Sequence, residues 1–104
     1  MKRTKRRYLA LQLEVEDVPS EREIMDAIWV SITKLYGEVG ASLTGLALMN
    51  FYTERKIVVI RTSLESLLLV RASLATIVNF AGKDVSVHVL AVSGTLKALY
   101  ENIR

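Results

Sequence analysis

The chain has no cysteine, which excludes disulfides, thiolate metal sites and cysteine nucleophiles. It has one histidine, His88, inside a strand-like stretch where nothing in the sequence assigns it a carboxylate or hydroxyl partner; we read it as structural or incidental. The acids are scattered, with no His-x-x-x-His or Asp-x-Asp-x-Asp-Gly spacing of a metal cage, and the Gly-x-x-x-x-Gly-Lys-Ser/Thr phosphate loop is missing. No catalytic residue and no metal ligand is therefore expected. No apolar run approaches the roughly 20 residues of a membrane span. The basic start is not read as a signal peptide either, because Tyr8 to Val15 is broken by Gln12 and Glu14 and no small-residue cleavage site follows. A cytoplasmic protein is the expectation. Amides are also scarce, one glutamine and three asparagines, a thin hint of a thermophilic source.

What is present is unevenly placed. Of fourteen basic residues, five lie in the first seven positions: Lys2, Arg3, Lys5, Arg6 and Arg7. Beyond them nine basic residues face eleven acids, so the formal +3 charge comes from the opening arm alone. Such an arm fits a polyanion, since each neutralised phosphate releases counterions; a frayed, solvated terminus has the same composition. With 51% apolar residues over 104 positions, one domain with a real core is expected, residues 1–6 forming the arm.

Leu9, Leu11, Leu13 and Val15 alternate with Ala10, Gln12 and Glu14, the period of a strand with one buried face. Ser20-Glu21-Arg22-Glu23 reads as a capping box opening a helix with Ile24, Ile28, Ser31 and Leu35 as its stripe, ended by a left-handed cap at Gly37. Strands are expected over about 42–52 and 56–62, joined by Thr53-Glu54-Arg55 as a hairpin. A second helix, capped by Thr62 or Ser63, carries Leu67, Val70, Leu74, Ile77 and Val78 and ends at Gly82. A fourth strand over about 84–92, with Val85, Val87 and Val89 on one face, precedes a short helix to about Asn102. The order β-α-β-β-α-β gives an α+β, ferredoxin-like or RRM-like sandwich: a four-stranded antiparallel sheet, two packing helices and a short C-terminal helix.

That fold hosts many functions, so function rests on sites. RNA-recognition modules stack bases on aromatics of their central strands, whereas Lys56-Ile57-Val58-Val59-Ile60-Arg61 contains no ring and only Tyr8 offers one on the first strand. Phosphate binding stays open. Ser93-Gly94-Thr95-Leu96-Lys97 is the best non-terminal candidate: a hydroxyl-bearing junction with Gly94 for close backbone approach and Lys97 for charge. The same residues also make an ordinary helix cap with a solvated lysine. Arg71, beside the second helical stripe, either covers apolar surface or reaches a phosphate or carboxylate. Trp29, Tyr36, Leu68, Leu69 and Phe80 lie off the main stripes and suggest surface left for a partner.

Arg7-Tyr8-Leu9, Gly37 and Gly40, Ile60-Arg61, Val70-Arg71-Ala72 and Val92-Ser93-Gly94-Thr95-Leu96-Lys97 together resemble, in order and spacing, the archaeal ribonuclease P protein component 2 family, related to eukaryotic Pop-five. The resemblance covers most of the chain. It implies a non-catalytic subunit of the ribonucleoprotein that removes the 5′ leader from precursor tRNA, so the chain is enzymatic only as part of that holoenzyme. The RNA subunit would carry the magnesium-dependent hydrolysis, and this chain would bind no cofactor. Implied partners are ribonuclease P RNA, the thirty-kilodalton TIM-barrel subunit, other ribonuclease P proteins, and a second pair joined in a heterotetramer. The RNA-binding candidates are Lys2, Arg3, Lys5, Arg6, Arg7, Arg61, Arg71, Ser93, Gly94, Thr95 and Lys97. A ribosomal or other ribonucleoprotein component shares the charge argument; a ferredoxin-like regulatory domain for a small ligand shares the element order but has no need of a basic arm.

Overall fold

The computed structural model describes residues 5–80 and 82–103. Along them run β1 (Arg6–Glu14), α1 (Glu21–Ser42), β2 (Ala47–Tyr52), β3 (Ile57–Ser63), α2 (Leu67–Leu74), β4 (Asn79–Phe80), β5 (Lys83–Asp84), β6 (Ser86–Ser93) and α3 (Leu96–Asn102). The long strands form one antiparallel sheet in the order β2-β3-β1-β6, the arrangement of the split β-α-β plan. Leu9, Leu11 and Leu13 on β1, and Val58 and Ile60 on β3, turn to the face covered by α1 and α2, where Ile24, Ile28, Ile32, Val70 and Leu74 meet them.

α1 opens as expected. The Glu23 N–H donates to the Ser20 hydroxyl at 3.2 Å, and the Glu23 carboxylate accepts from the Ser20 N–H at 3.1 Å. Its buried stripe is Ile24, Ile28 and Ile32 rather than the expected Ser31 and Leu35, because the run of i, i+4 isoleucines supplies the larger apolar surface. Gly37 does not end the helix in the left-handed region. It breaks it at φ +78°, ψ 173°, a backbone state essentially reserved for glycine, and helical backbone resumes to Ser42.

That continuation shortens β2, which starts at Ala47 instead of about residue 42. The corner is tied by the Thr44 carbonyl, which accepts from the Thr62 hydroxyl (2.9 Å) and the Ser63 N–H (2.7 Å). Thr62 and Ser63 are thereby the last residues of β3 and not helix caps; the N-cap of α2 is Ser66, with no side-chain capping bond. α2 also stops early, at Leu74, where the Thr76 hydroxyl closes back on the Ser73 carbonyl at 2.7 Å. The stripe expected beyond it dissolves: Ile77 stays buried, Val78 is exposed, and Phe80 is buried in the small β4–β5 pairing. β6 begins at Ser86, with Val87 and Val89 packed on the helix-covered core.

Two register shifts set which side chains reach the second face. One residue is extra on β2 (Met49, against β3) and one on β6 (Leu90, against β1), so each strand changes the parity of its faces there. Ala10, Ile57 and Val59 are buried on this second face under Leu99 of α3 and Ile103 at its C-cap, with Tyr8, Met49 and Tyr52 at the margins. Leu99 and Ile103 each contribute roughly 1.5–3 kcal/mol by leaving water. Tyr100 meets Tyr52 edge-on, ring centroids 6.5 Å apart, and the Arg55 guanidinium donates to the Ile103 carbonyl. α3 thus lies across the sheet surface on which an RNA-recognition module stacks bases.

Candidate nucleic-acid interface

Strand pairing collects the candidate residues at one end of the sheet. Tyr8 stands opposite Arg61 on one side and Ser93 on the other. Directly opposed residues share a face, so Arg61, Tyr8 and Ser93 form a row roughly 10 Å wide beside the start of α3. One step back along β1, Arg6 lies opposite Ser63 on that face. Arg7 lies between Arg6 and Tyr8 in sequence and so points from the other face of β1, and its guanidinium reaches Gly94: a Cβ there would sit 3.5 Å from Nη1. The same nitrogen donates to the Arg6 carbonyl at 2.8 Å.

α3 then starts as its sequence dictates. Thr95 takes extended backbone and its hydroxyl accepts from the Ala98 N–H at 3.2 Å, while the Ser93 hydroxyl accepts from the Thr95 N–H at 3.4 Å. Both hydroxyls keep their own hydrogens for another acceptor. Lys97 is exposed in the first turn. The capping role of Thr95 and the cationic surroundings are thus both present.

Among the described residues, the charges of this end have no ion-pair partner. Ion pairs among the described residues lie elsewhere, at Arg22–Asp26, Lys83–Asp17 and His88–Glu14. Lys5 and Arg6 are exposed, Arg7 and Arg61 half-buried, and the buried Nε of Arg61 has no hydrogen-bond partner. Arg6 and Lys5 are less of a free arm than expected: Arg6 is the first residue of β1, and the Lys5 carbonyl accepts from the Leu64 N–H at 2.8 Å.

Two groups of candidates stand apart. Lys2 and Arg3 lie outside the described residues. Arg71 is exposed on α2, in the helical layer on the far side of the sheet, and is not brought to this end. Tyr8, the single ring expected as a stacking platform, is half-buried beneath α3. His88 sits 3.5 Å from Glu14, both side chains exposed. Among the described residues no group of three or more His, Cys, Asp or Glu is placed to hold a metal ion, and no helix is long and apolar enough to cross a membrane. What the sequence could not reveal was the Arg61–Tyr8–Ser93 row, because register is a property of paired strands.

A family model described as the Rpp14/Pop5 family matches residues 7–104. Ribonuclease P protein component 2 of Methanobrevibacter smithii is 35% identical over 103 residues, covering 92% of this chain and 86% of that protein. The protein of the same description from Methanosarcina mazei is 35% identical over 99 residues (95% and 84% covered), and that of Pyrococcus horikoshii is 30% identical over 97 residues (93% and 81%). A chain in the cryo-EM structure of yeast ribonuclease MRP shares the fold, with a TM-score of 0.68 at 15% identity over 99% of this chain and 94% of that one.

Proposed function

The chain belongs to the Rpp14/Pop5 family, and from that premise we propose that it is a non-catalytic protein subunit of ribonuclease P, holding the phosphates of the catalytic RNA that removes the 5′ leader from precursor tRNA. The observation that carries the proposal is the gathering of Arg6, Arg7 and Arg61, with Lys97 in the first turn of α3, at the end of the sheet where β1 begins, Arg7 against Gly94 and none of them with a carboxylate partner among the described residues. Lys2, Arg3 and Lys5 add charge to it from the chain start. With α3 across the sheet, contact with the RNA backbone is favoured over base stacking. Magnesium would be held by the RNA, and the work of this chain would be to neutralise phosphates so that the RNA folds with less free magnesium. A cytoplasmic location is part of this proposal. Val39, Leu43 and Leu68, all strongly exposed on the helical side, offer apolar surface for the TIM-barrel subunit or other ribonuclease P proteins.

The test is the salt dependence of binding to ribonuclease P RNA. Replacing Lys2, Arg3 and Lys5 together with glutamine spares β1 and should flatten the slope of log K against log salt by roughly 0.7–0.9 for each phosphate that is no longer neutralised. An unchanged slope removes the chain start from the interface. RNA recovered with the protein from its native source should be ribonuclease P RNA; ribosomal RNA there overturns the assignment in favour of a ribosomal component.

A further inference from the structure

α3 is seven residues long, and a helix of about two turns has no stability of its own in water. Its docking on the sheet has two parts. Leu99 and Ile103 are buried on Ala10, Ile57 and Val59. At the far end, the Arg55 guanidinium donates to the Ile103 carbonyl, and Tyr52 and Tyr100 meet edge-on at 6.5 Å. Tyr52 and Arg55 belong to the β2–β3 hairpin, at the opposite end of the sheet from Arg61, Tyr8 and Ser93. Ile57 and Arg61 are about 13 Å apart along β3, and α3, roughly 10 Å long, bridges most of that distance.

The hairpin is itself tied down. Its turn at 53–56 closes with the Lys56 N–H donating to the Thr53 carbonyl at 3.3 Å, Lys56 taking φ +56°. Gln12 of β1, the only glutamine of the chain, donates through Nε2 to the carbonyls of Arg55 (2.8 Å) and Lys56 (3.2 Å). The Leu13 N–H donates to the same Lys56 carbonyl at 2.8 Å, and Lys56 Nζ reaches the Val15 carbonyl at 2.7 Å. Arg55 thus holds α3 from a base fixed by a central strand. The other end of α3 joins β6 through Ser93 and Gly94, where Arg7 comes close. Released at Ile103, the helix would swing about that junction and carry Lys97 with it.

We propose that Arg55 is a positioning residue for the RNA interface: by clamping the C-terminal end of α3 to the hairpin, it fixes Lys97 and the Gly94 junction at the other end of the sheet. Arg55 touches no phosphate; it acts through α3. Apparent affinity scales with the fraction of chains in the binding-competent form, so a loosened α3 binds RNA more weakly without losing a phosphate contact. The consequence for RNA rests on the RNA-binding proposal, whereas the clamp is a property of the free protein and is measured there.

Arg55→Ala and Tyr100→Ala both loosen the clamp, the first with loss of a charge and the second without. In the full chain without RNA, the N–H groups of Leu99 and Ile103, which donate to the Thr95 and Leu99 carbonyls, should exchange with solvent at least about tenfold faster in both variants. Leu9 and Leu11 of β1 should keep their rates, which shows the fold intact. Both variants should bind ribonuclease P RNA at least about threefold more weakly, with the same dependence on salt as each other. Arg55→Lys, which keeps a donor for the Ile103 carbonyl, should recover most of both losses. A salt slope lowered by roughly 0.7–0.9 in Arg55→Ala alone makes Arg55 a phosphate contact and overturns the proposal. Unchanged exchange in α3, or wild-type RNA affinity in either alanine variant, overturns it as well. A wild-type chain that fails to bind the RNA overturns the RNA-binding proposal itself, whatever the exchange rates show.

Discussion

Gly94 stands where a small change reads out the site. Its Cβ position is 3.5 Å from Nη1 of Arg7, an ordinary van der Waals distance, and its backbone is not in the positive-φ region that resists side chains. Alanine should therefore be tolerated, whereas the branched valine must push the guanidinium aside. Because that group is the end of a flexible side chain, the displacement should leave stability within about 0.5 kcal/mol. For Gly94→Val we expect weaker binding to ribonuclease P RNA and a salt slope lowered by roughly 0.7–0.9, the value of one phosphate. Urea unfolding alongside a filter-binding titration checks both halves. Wild-type RNA affinity in the valine variant means that Arg7 is not positioned by this junction. The neighbouring Thr95 answers a different question, since its cap belongs to α3 whether or not RNA is bound.

At the scale of elements, the start of α1 is fixed by one reciprocal pair. Ser20→Ala should cost about 1 kcal/mol of unfolding free energy. The Glu23 carboxyl is held below its ordinary value by the backbone N–H of Ser20, then by its hydroxyl and weakly by Lys83, against a small opposing effect of desolvation. The folded value lies below the unfolded one, so the contribution is present above the ordinary glutamate range and is lost as pH falls through the folded value. The stability gap between wild type and Glu23→Gln should accordingly narrow from about pH 7 toward about pH 3, followed by urea midpoints; a gap independent of pH removes the carboxylate from the cap. This box was legible because it is local, as was the alternation of Leu9, Leu11 and Leu13. The end of α1 was not: glycine commonly stops helices, but Gly37 bends this one and Thr44 takes up the corner. The extra residues Met49 and Leu90 break strict alternation, and the short β4–β5 pairing, which buries Phe80, has too few residues to show a period.

For the whole molecule, the sheet separates two kinds of surface. Cations without an ion-pair partner among the described residues gather where β1 and α3 begin, while exposed apolar residues of α1 and α2 lie in the opposite layer. The cations themselves were legible in sequence, since like charge concentrated at the chain start is a matter of counting. Their convergence with Arg61 was not, because it follows from Tyr8 pairing with both Arg61 and Ser93; Arg71, equally plausible by sequence, falls in the wrong layer. Sites without shared partners add their effects rather than couple. Val30→Asp, on the exposed face of α1, should therefore leave the RNA salt slope unchanged. The combined glutamine replacement of Lys2, Arg3 and Lys5 should flatten it by roughly 0.7–0.9 for each phosphate no longer neutralised. RNA titration at several salt concentrations, run on both variants, decides the matter. If Val30→Asp also flattens the slope, the α1 face lies in the RNA path and the two layers do not divide the work.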